Sequence, residues 1–343
     1  MRVRRILFLV FSVALAAGLV VLLIHLGKVN LHVTARMLRN VSVLNFAELV
    51  GLNALLIGIS TARWRLIDAA LRHPSDSVPS RTTAFFVTSM GMALGLILPV
   101  QIGMTTARTI GTHAYGRTLK RGTGGTIFEQ SFDLVVVMVL AGASVMTWLL
   151  HGGGWTWLVL ATPLVALAFV AVSPCVRLAQ SLARKVPDLT ERPRPSWLLL
   201  LPYDWSMRFL RGLSGVQHSG LLNVRLARRL LTLSVVRFSV VTLMGAQTAR
   251  AISAHIPIWR MAAMVPFSTI TNLIGITPGG IGLNELTSAA VLSLFGTPLP
   301  IASQWALANR LLVIPSCCAV VLFTLPFLIV ERGFSGRARG AKG

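Results

Sequence analysis

Apolar residues come in long unbroken stretches along this chain and do not alternate with polar ones. The runs Ile6 to Leu26, Val41 to Ala62, about 123–150, about 155–173, about 230–250 and about 300–330 approach or exceed the roughly 20 residues that a helix needs to cross a bilayer. Two further regions, about 82–118 and 257–298, are apolar but interrupted. Pro99-Val100-Gln101-Ile102-Gly103 cuts the first, and Pro278-Gly279-Gly280-Ile281-Gly282 cuts the second. Proline removes a backbone donor, and glycine permits turns that other residues resist. Each interruption therefore predicts the bend of a helical hairpin, with Pro99, Gly103, Pro278, Gly279, Gly280 and Gly282 as turn residues. Non-helical backbone at membrane depth is tolerated only where protein or a water-filled cavity covers it. Two such bends, one in each half of a chain, point to a substrate site near the bilayer midplane.

The ends of the runs add detail. Ala14-Leu15-Ala16 resembles a signal-peptide cleavage site, but the apolar run continues for ten residues past it, which predicts an uncleaved first span. The loop His151 to Gly154 is very short, so its flanking spans are antiparallel neighbours. Trp197 to Leu213, with Trp197, Tyr203 and Trp205, reads either as an interfacial helix or as a linker with an apolar patch.

Composition agrees with this pattern. Of 343 residues, 54% are hydrophobic and 12% charged, against about 25% charged in soluble domains. The chain reads as an all-α polytopic membrane protein, a single transmembrane domain over residues 1–343. The net charge of +22 would suggest nucleic acid on a soluble chain. Here it places cationic loops beside the spans, against anionic lipid. No zinc-finger spacing, basic helix or RNA-binding aromatic motif accompanies it, so no nucleic-acid partner is expected. Cys175, Cys317 and Cys318 cannot all pair within one chain and read as buried, inert thiols. The histidines show no His-x-x-x-His pair for zinc, Gly122-Thr123-Gly124-Gly125 lacks the Lys of a P-loop, and no serine nucleophile elbow appears. No metal and no cofactor are expected.

Charge then decides the topology. If both interrupted regions crossed the bilayer, eight spans would leave 13 Lys/Arg inside and 17 outside, opposing the usual cytoplasmic excess. If both hairpins return to the side they came from, six spans cross. Inside positions then hold 24 Lys/Arg and outside positions hold only Lys28, Arg36, Arg39, Arg250 and Arg260. In that tally Arg63 belongs to a polar loop, and the basic stretch 174–229 lies inside with both termini. This threading makes the first half, about 1–152, read span, span, hairpin, span from the inside. The second half, about 153–343, repeats that order from the outside. Six crossing helices plus two re-entrant hairpins thus form an inverted repeat, an architecture of many alternating-access transporters.

Ionisable groups inside a membrane are costly, and they usually pair or line a cavity. The candidates are Glu48, Glu129, Asp133 and Glu285 against Arg108, Arg237 and Arg310. Glu129 and Asp133 share a helix face, and read either as a proton-sharing pair or as partners of a nearby arginine. Glu285 falls in the first turn of a returning half-helix, where the N-terminal partial charge favours a carboxylate. Free N–H groups at the half-helix starts suit a phosphate oxygen, which Arg108 and Arg310 would neutralise. Asn272 offers one more polar contact. Arg237 and Glu48 lie near span ends and read as snorkelling to the interface.

Pro278-Gly279-Gly280-Ile281-Gly282 followed by Glu285 resembles the Pro-Gly-Gly-x-Gly-x-x-Glu signature of the lysylphosphatidylglycerol synthase transmembrane region, a flippase-like family. Arg310 and Pro315 are similar to its following span. Pro99, Gly103, Arg108, Glu129 and Asp133 are similar to its first-half pattern, although Met104 stands where an acid is expected and Gln130 where an Arg is. The resemblance implies lipid translocation across a cytoplasmic membrane. Two-domain members carry a soluble aminoacyl-transfer domain after the membrane part; this chain ends at Gly343, so no aminoacyl transferase activity is expected.

The resulting expectation is a non-enzymatic carrier of a phosphate-containing lipid, a phospholipid or polyprenyl-phosphate type. Anionic lipid would lie at the basic loops, and a separate lipid-modifying enzyme stands as a candidate partner. Two other readings stay open: a non-transporting scaffold that recruits a partner through 174–229, and a membrane enzyme using Glu129 and Asp133 as acid and base. The topology makes a direct prediction. In a chain whose native cysteines are replaced, single cysteines at 117, 152, 200 and 255 are expected to react from inside, outside, inside and outside with a membrane-impermeant thiol reagent.

Overall fold

A computed structural model of the chain describes residues 2–71, 79–98, 100–113, 119–191, 223–274 and 277–340. The expected bend residue Pro99, the stretch Trp197 to Leu213 and positions 117 and 200 lie outside these. Among the described residues the chain is helical: α1 Arg2–Leu26, α2 Leu31–Arg39, α3 Val43–Ala70, α4 Arg81–Ile97, α5 Val100–His113, α6 Leu119–Leu149, α7 Gly154–Glu191, α8 Val224–Ala251, α9 Ile258–Ile274, α10 Leu283–Leu294 and α11 Leu299–Gly340. A 3-10 turn, Pro278–Gly280, precedes α10.

Stretches of α3, α6, α7, α8 and α11 are long and apolar enough to cross a membrane, and α1 joins them if its bent continuation counts. The chain is therefore a multi-pass membrane protein. Apolar side chains such as Phe11, Val159, Val170, Phe323 and Phe327 face outward, as expected where lipid replaces water. Helix α7 is outermost, with only 6% of its apolar window buried. Several buried hydroxyls are satisfied within their own helices: Thr61 donates to the Ile57 carbonyl, Ser144 to Leu140 and Thr147 to Ala143. An unsatisfied polar group in hydrocarbon would cost several kcal/mol.

The structure corrects several boundaries. The loop after the first span contains α2, which turns 95° from α1 and is capped by the Asn30 side chain accepting from His32 and Val33 N–H groups. Helix α3 runs eight residues past the apolar run, carrying Arg63 and Arg65 with it. Helix α7 continues to Glu191, into the basic stretch 174–229 read as an inside loop. Cys317 is buried, but Cys175 and Cys318 are exposed, and all three are free thiols.

Both interrupted regions are helical hairpins with antiparallel limbs. In the first, α4 ends at Ile97 and Leu98 is extended (φ −95°, ψ 162°), the conformation imposed on a residue before proline. The helix resumes at once at Val100. Gly103 is therefore not in the bend; it lies inside α5, where it lets the limbs touch. A Cβ on Gly103 would lie 2.5 Å from the Gly95 amide nitrogen, and one on Gly91 would meet Met104 Sδ at 2.9 Å. Small residues at such spacing draw helices together where no water drives them to pack. The second hairpin closes at its base through Arg260 Nη1 donating to Thr297 Oγ1 at 3.2 Å and an edge-on Trp259–Phe295 contact, centroids 5.7 Å apart. At its tip, Gly279, Gly280 and Gly282 all have positive φ (57°, 70° and 82°), which side-chain-bearing residues rarely adopt.

The two tips touch. A Cβ on Gly279 would overlap the Leu96 carbonyl oxygen. Each hairpin also packs across the molecule: α4 lies on α11 and α9 lies on α6, while α5 packs on α6 and α10 on α11.

The limb contact is testable. Gly103→Ala is expected to destabilise the protein by about 1–3 kcal/mol through overpacking. Gly142→Ala, where nothing lies within 4 Å, is expected to be neutral or stabilising by up to about 1 kcal/mol. Thermal unfolding in detergent compares the two.

Candidate functional site

Eight helices, all but α1, α2 and α7, enclose a cavity of about 250 Å³ behind the touching tips. Arg108, Glu129, Asp133, Asn272, Glu285 and Arg310, all read from the sequence, line this one cavity. Pro278, Gly279, Gly280 and Gly282 form the bend of the second hairpin beside it. Glu48 is elsewhere, in an exposed pair with Arg250 at 3.9 Å.

The charges form two groups. The larger centres on α6. Glu129 and Asp133 are one turn apart on it, and Arg63 of α3 stands between them. Arg63 Nη1 meets Asp133 Oδ1 at 2.8 Å, its Nε lies 3.6 Å from Glu129 Oε1, and its Nη2 donates to the Glu129 carbonyl at 2.8 Å. From α5, Arg108 pairs with Glu129 Oε2 and donates to the Ser60 carbonyl at 3.0 Å, with the Trp64 ring 5.6 Å from its guanidinium carbon. From α8, Arg237 Nη1 reaches Asp133 Oδ2 at 3.4 Å. Both carboxylates are thus engaged by guanidinium groups, which is the ion-pair reading of this motif. Arg63 and Arg108 are fully buried, whereas the Arg237 side chain is 24% exposed.

The smaller group belongs to the second hairpin. Glu285, in the first turn of α10, accepts the Gly282 N–H at 2.6 Å and lies 3.5 Å from Arg310 Nε of α11. Arg310 Nη2 donates to the Gly279 carbonyl at 2.5 Å. One carboxylate therefore caps the half-helix and fixes the arginine that holds the bend. Beside them, the Oδ1 atoms of Asn272 and Asn284 are buried with no hydrogen-bond partner. That leaves amide acceptors at the cavity wall.

Sequence reading missed two members. Arg63 had been assigned to a loop because the apolar run stops at Ala62. Its signal was present: Ser60, Arg63, Trp64 and Ile67 fall at helical spacing and are all buried, one inward face carried past the end of the apolar run. Arg237 had been read as snorkelling to the interface, yet it lines the cavity. Its signal was Asp133, an anion already claimed by one arginine. Among the described residues no cluster of His, Cys, Asp or Glu has the makings of a metal site.

Buried charge is dear when its partner goes. Arg63→Leu removes the cation shared by Glu129 and Asp133, leaving each with one arginine, and is expected to cost about 3 kcal/mol of stability, the lower end for a broken buried pair. Arg250→Leu, at the exposed pair, is expected to change stability by no more than about 0.5 kcal/mol; denaturation in detergent micelles measures both.

Compared with known proteins, the chain matches the family model described as Lysylphosphatidylglycerol synthase TM region over residues 9–314. No curated protein and no solved structure matches it.

Proposed function

The chain belongs to the family of the lysylphosphatidylglycerol synthase TM region, a family of membrane proteins in lipid metabolism and transport, and on that footing we propose that it translocates a phosphate-containing lipid across the cytoplasmic membrane without chemically altering it. The observation that carries this reading is the meeting of two hairpin tips above a cavity lined with ionised groups. Such groups remain inside a bilayer only where they pair or line a path.

Several features support the re-entrant arrangement. The limbs α4, α5, α9 and α10 have 17, 14, 17 and 12 residues. At about 1.5 Å per residue none reaches the roughly 30 Å of a hydrocarbon core. Six crossing helices and two such hairpins then give the inverted repeat, with hairpins entering from opposite leaflets. The contacts agree with twofold internal symmetry, since each entering limb packs on the closing span of the other half. In this scheme a headgroup sits between the tips and the acyl chains stay in the bilayer. Glu285 and Arg310 hold the bend in shape. Arg108 and Glu129 anchor the first hairpin to α6. Asp133 and Asn272 face the headgroup. Both termini are cytoplasmic, anionic lipid lies along the basic loops, and a separate lipid-modifying enzyme supplies or consumes the cargo.

Reconstituted vesicles test the proposal. Wild-type protein is expected to move a fluorescent phospholipid between leaflets. Glu285→Gln and Arg310→Ala are expected to slow that movement at least about tenfold, the equivalent of about 1.4 kcal/mol in the charged step. Movement by both variants at the wild-type rate would overturn the assignment.

A further inference from the structure

The charges around the cavity do not cancel. Arg63, Arg108, Arg237 and Arg310 face Glu129, Asp133 and Glu285. Arginine stays protonated in proteins. Each carboxylate lies within ion-pair reach of at least one guanidinium. Among the described charged side chains of this cluster, one positive charge is left over.

That charge is localised by geometry. Arg108 is committed to Glu129 and to the Ser60 carbonyl. Arg63 is committed to Asp133 and to the Glu129 carbonyl, and Arg310 to Glu285 and the bend. Arg237 has one anionic contact, at 3.4 Å, with an Asp133 that Arg63 already holds at 2.8 Å. It is also the most exposed arginine of the larger group, 24% against 0% and 1%, and it lines the cavity. An excess cation in a low-dielectric wall is costly, and a bound anion removes the excess. Guanidinium groups suit phosphate oxygens through paired N–H donors.

We propose that the cavity selects a phosphate group with one net negative charge that is not offset within the same headgroup, and that Arg237 is the residue that receives it. This rests on the lipid-carrier reading and narrows it: an anionic phosphodiester lipid is cargo, whereas a zwitterionic or cationic headgroup is disfavoured.

The test compares two lipids with the same phosphodiester, phosphatidylglycerol (net −1) and phosphatidylcholine (net 0). Binding to the purified full chain is followed by native mass spectrometry, with excess inorganic phosphate as a separate competitor. Wild type is expected to retain phosphatidylglycerol about tenfold better, the scale of one charge-assisted contact. Arg237→Gln is expected to lose that preference and Arg237→Lys to keep most of it. Met104 lines the same cavity, so Met104→Glu supplies the missing anion and is expected to lose the preference too, which keeps the test open if Arg237→Gln does not fold. Equal preference in wild type, Arg237→Gln and Met104→Glu would place the anionic lipid on the basic surface and overturn the inference. Displacement of the lipid by inorganic phosphate would assign the site to a free anion and overturn it as well. Lipid movement that fails while the charge preference follows the variants would sink only the carrier reading; movement that persists with no charge preference would sink only this one.

Discussion

The rule that a charge inside a bilayer needs a partner decides which helices of this protein touch. Arg63 is the clearest case. Its guanidinium is wholly buried between Glu129 and Asp133, tying α3 to α6. Arg108 ties α5 to Glu129 and to the α3 backbone, and Arg237 brings α8 to Asp133. Three helices, α3, α5 and α8, are fixed against one turn of α6. Dispersion between apolar helices selects no register in lipid, because lipid tails are as apolar as leucine. The ion pairs and the small-residue contacts supply it.

The two halves solve the same problem with opposite signs. In each, an ion pair joins the returning limb of the hairpin to the closing span. In the first half the limb carries the cation, Arg108, and the span carries the anion, Glu129. In the second the limb carries the anion, Glu285, and the span carries the cation, Arg310. The exchange has a local reason. Glu285 falls three residues after Gly282, where its carboxylate satisfies an orphan N–H of the half-helix. Arg108 sits on the ninth residue of α5, beyond the first turn and its field, and is free to be cationic.

Much of this was legible in the sequence, and the failures have physical causes. Apolar runs located the spans because lipid leaves little room for anything but apolar helix. Proline and glycine located the hairpins. They misled at Gly103, because the same residue serves two purposes: it permits unusual φ, and it permits close approach. Pro99 alone allows the helix to restart at Val100, so Gly103 was left for packing against Gly95. Arg63 was missed because a window of hydropathy ends a helix where charge begins. The membrane sets no such limit on a residue whose charge is turned inward and paired, and helical spacing from Ser60 to Ile67 was the better guide. Arg237 was misread because snorkelling depends on the depth of a residue, while its direction depends on where a facing anion lies. That anion, Asp133, is on another helix, more than a hundred residues earlier.

The tips carry the last step of the argument. Each hairpin is anchored to its own half by an ion pair and braced on the other half by its entering limb. Where the tips meet among the described residues, the contact is backbone against backbone, Leu96 against Gly279. Backbone contact of this kind has no side-chain interlock to undo, so separating the tips leaves the buried ion pairs intact. The Gly279 carbonyl, turned toward Arg310 by a left-handed bend, finds its charge-assisted partner within its own half. The ion pairs thus hold each hairpin to its own half, while the tips, where Leu96 meets Gly279, have only backbone against backbone.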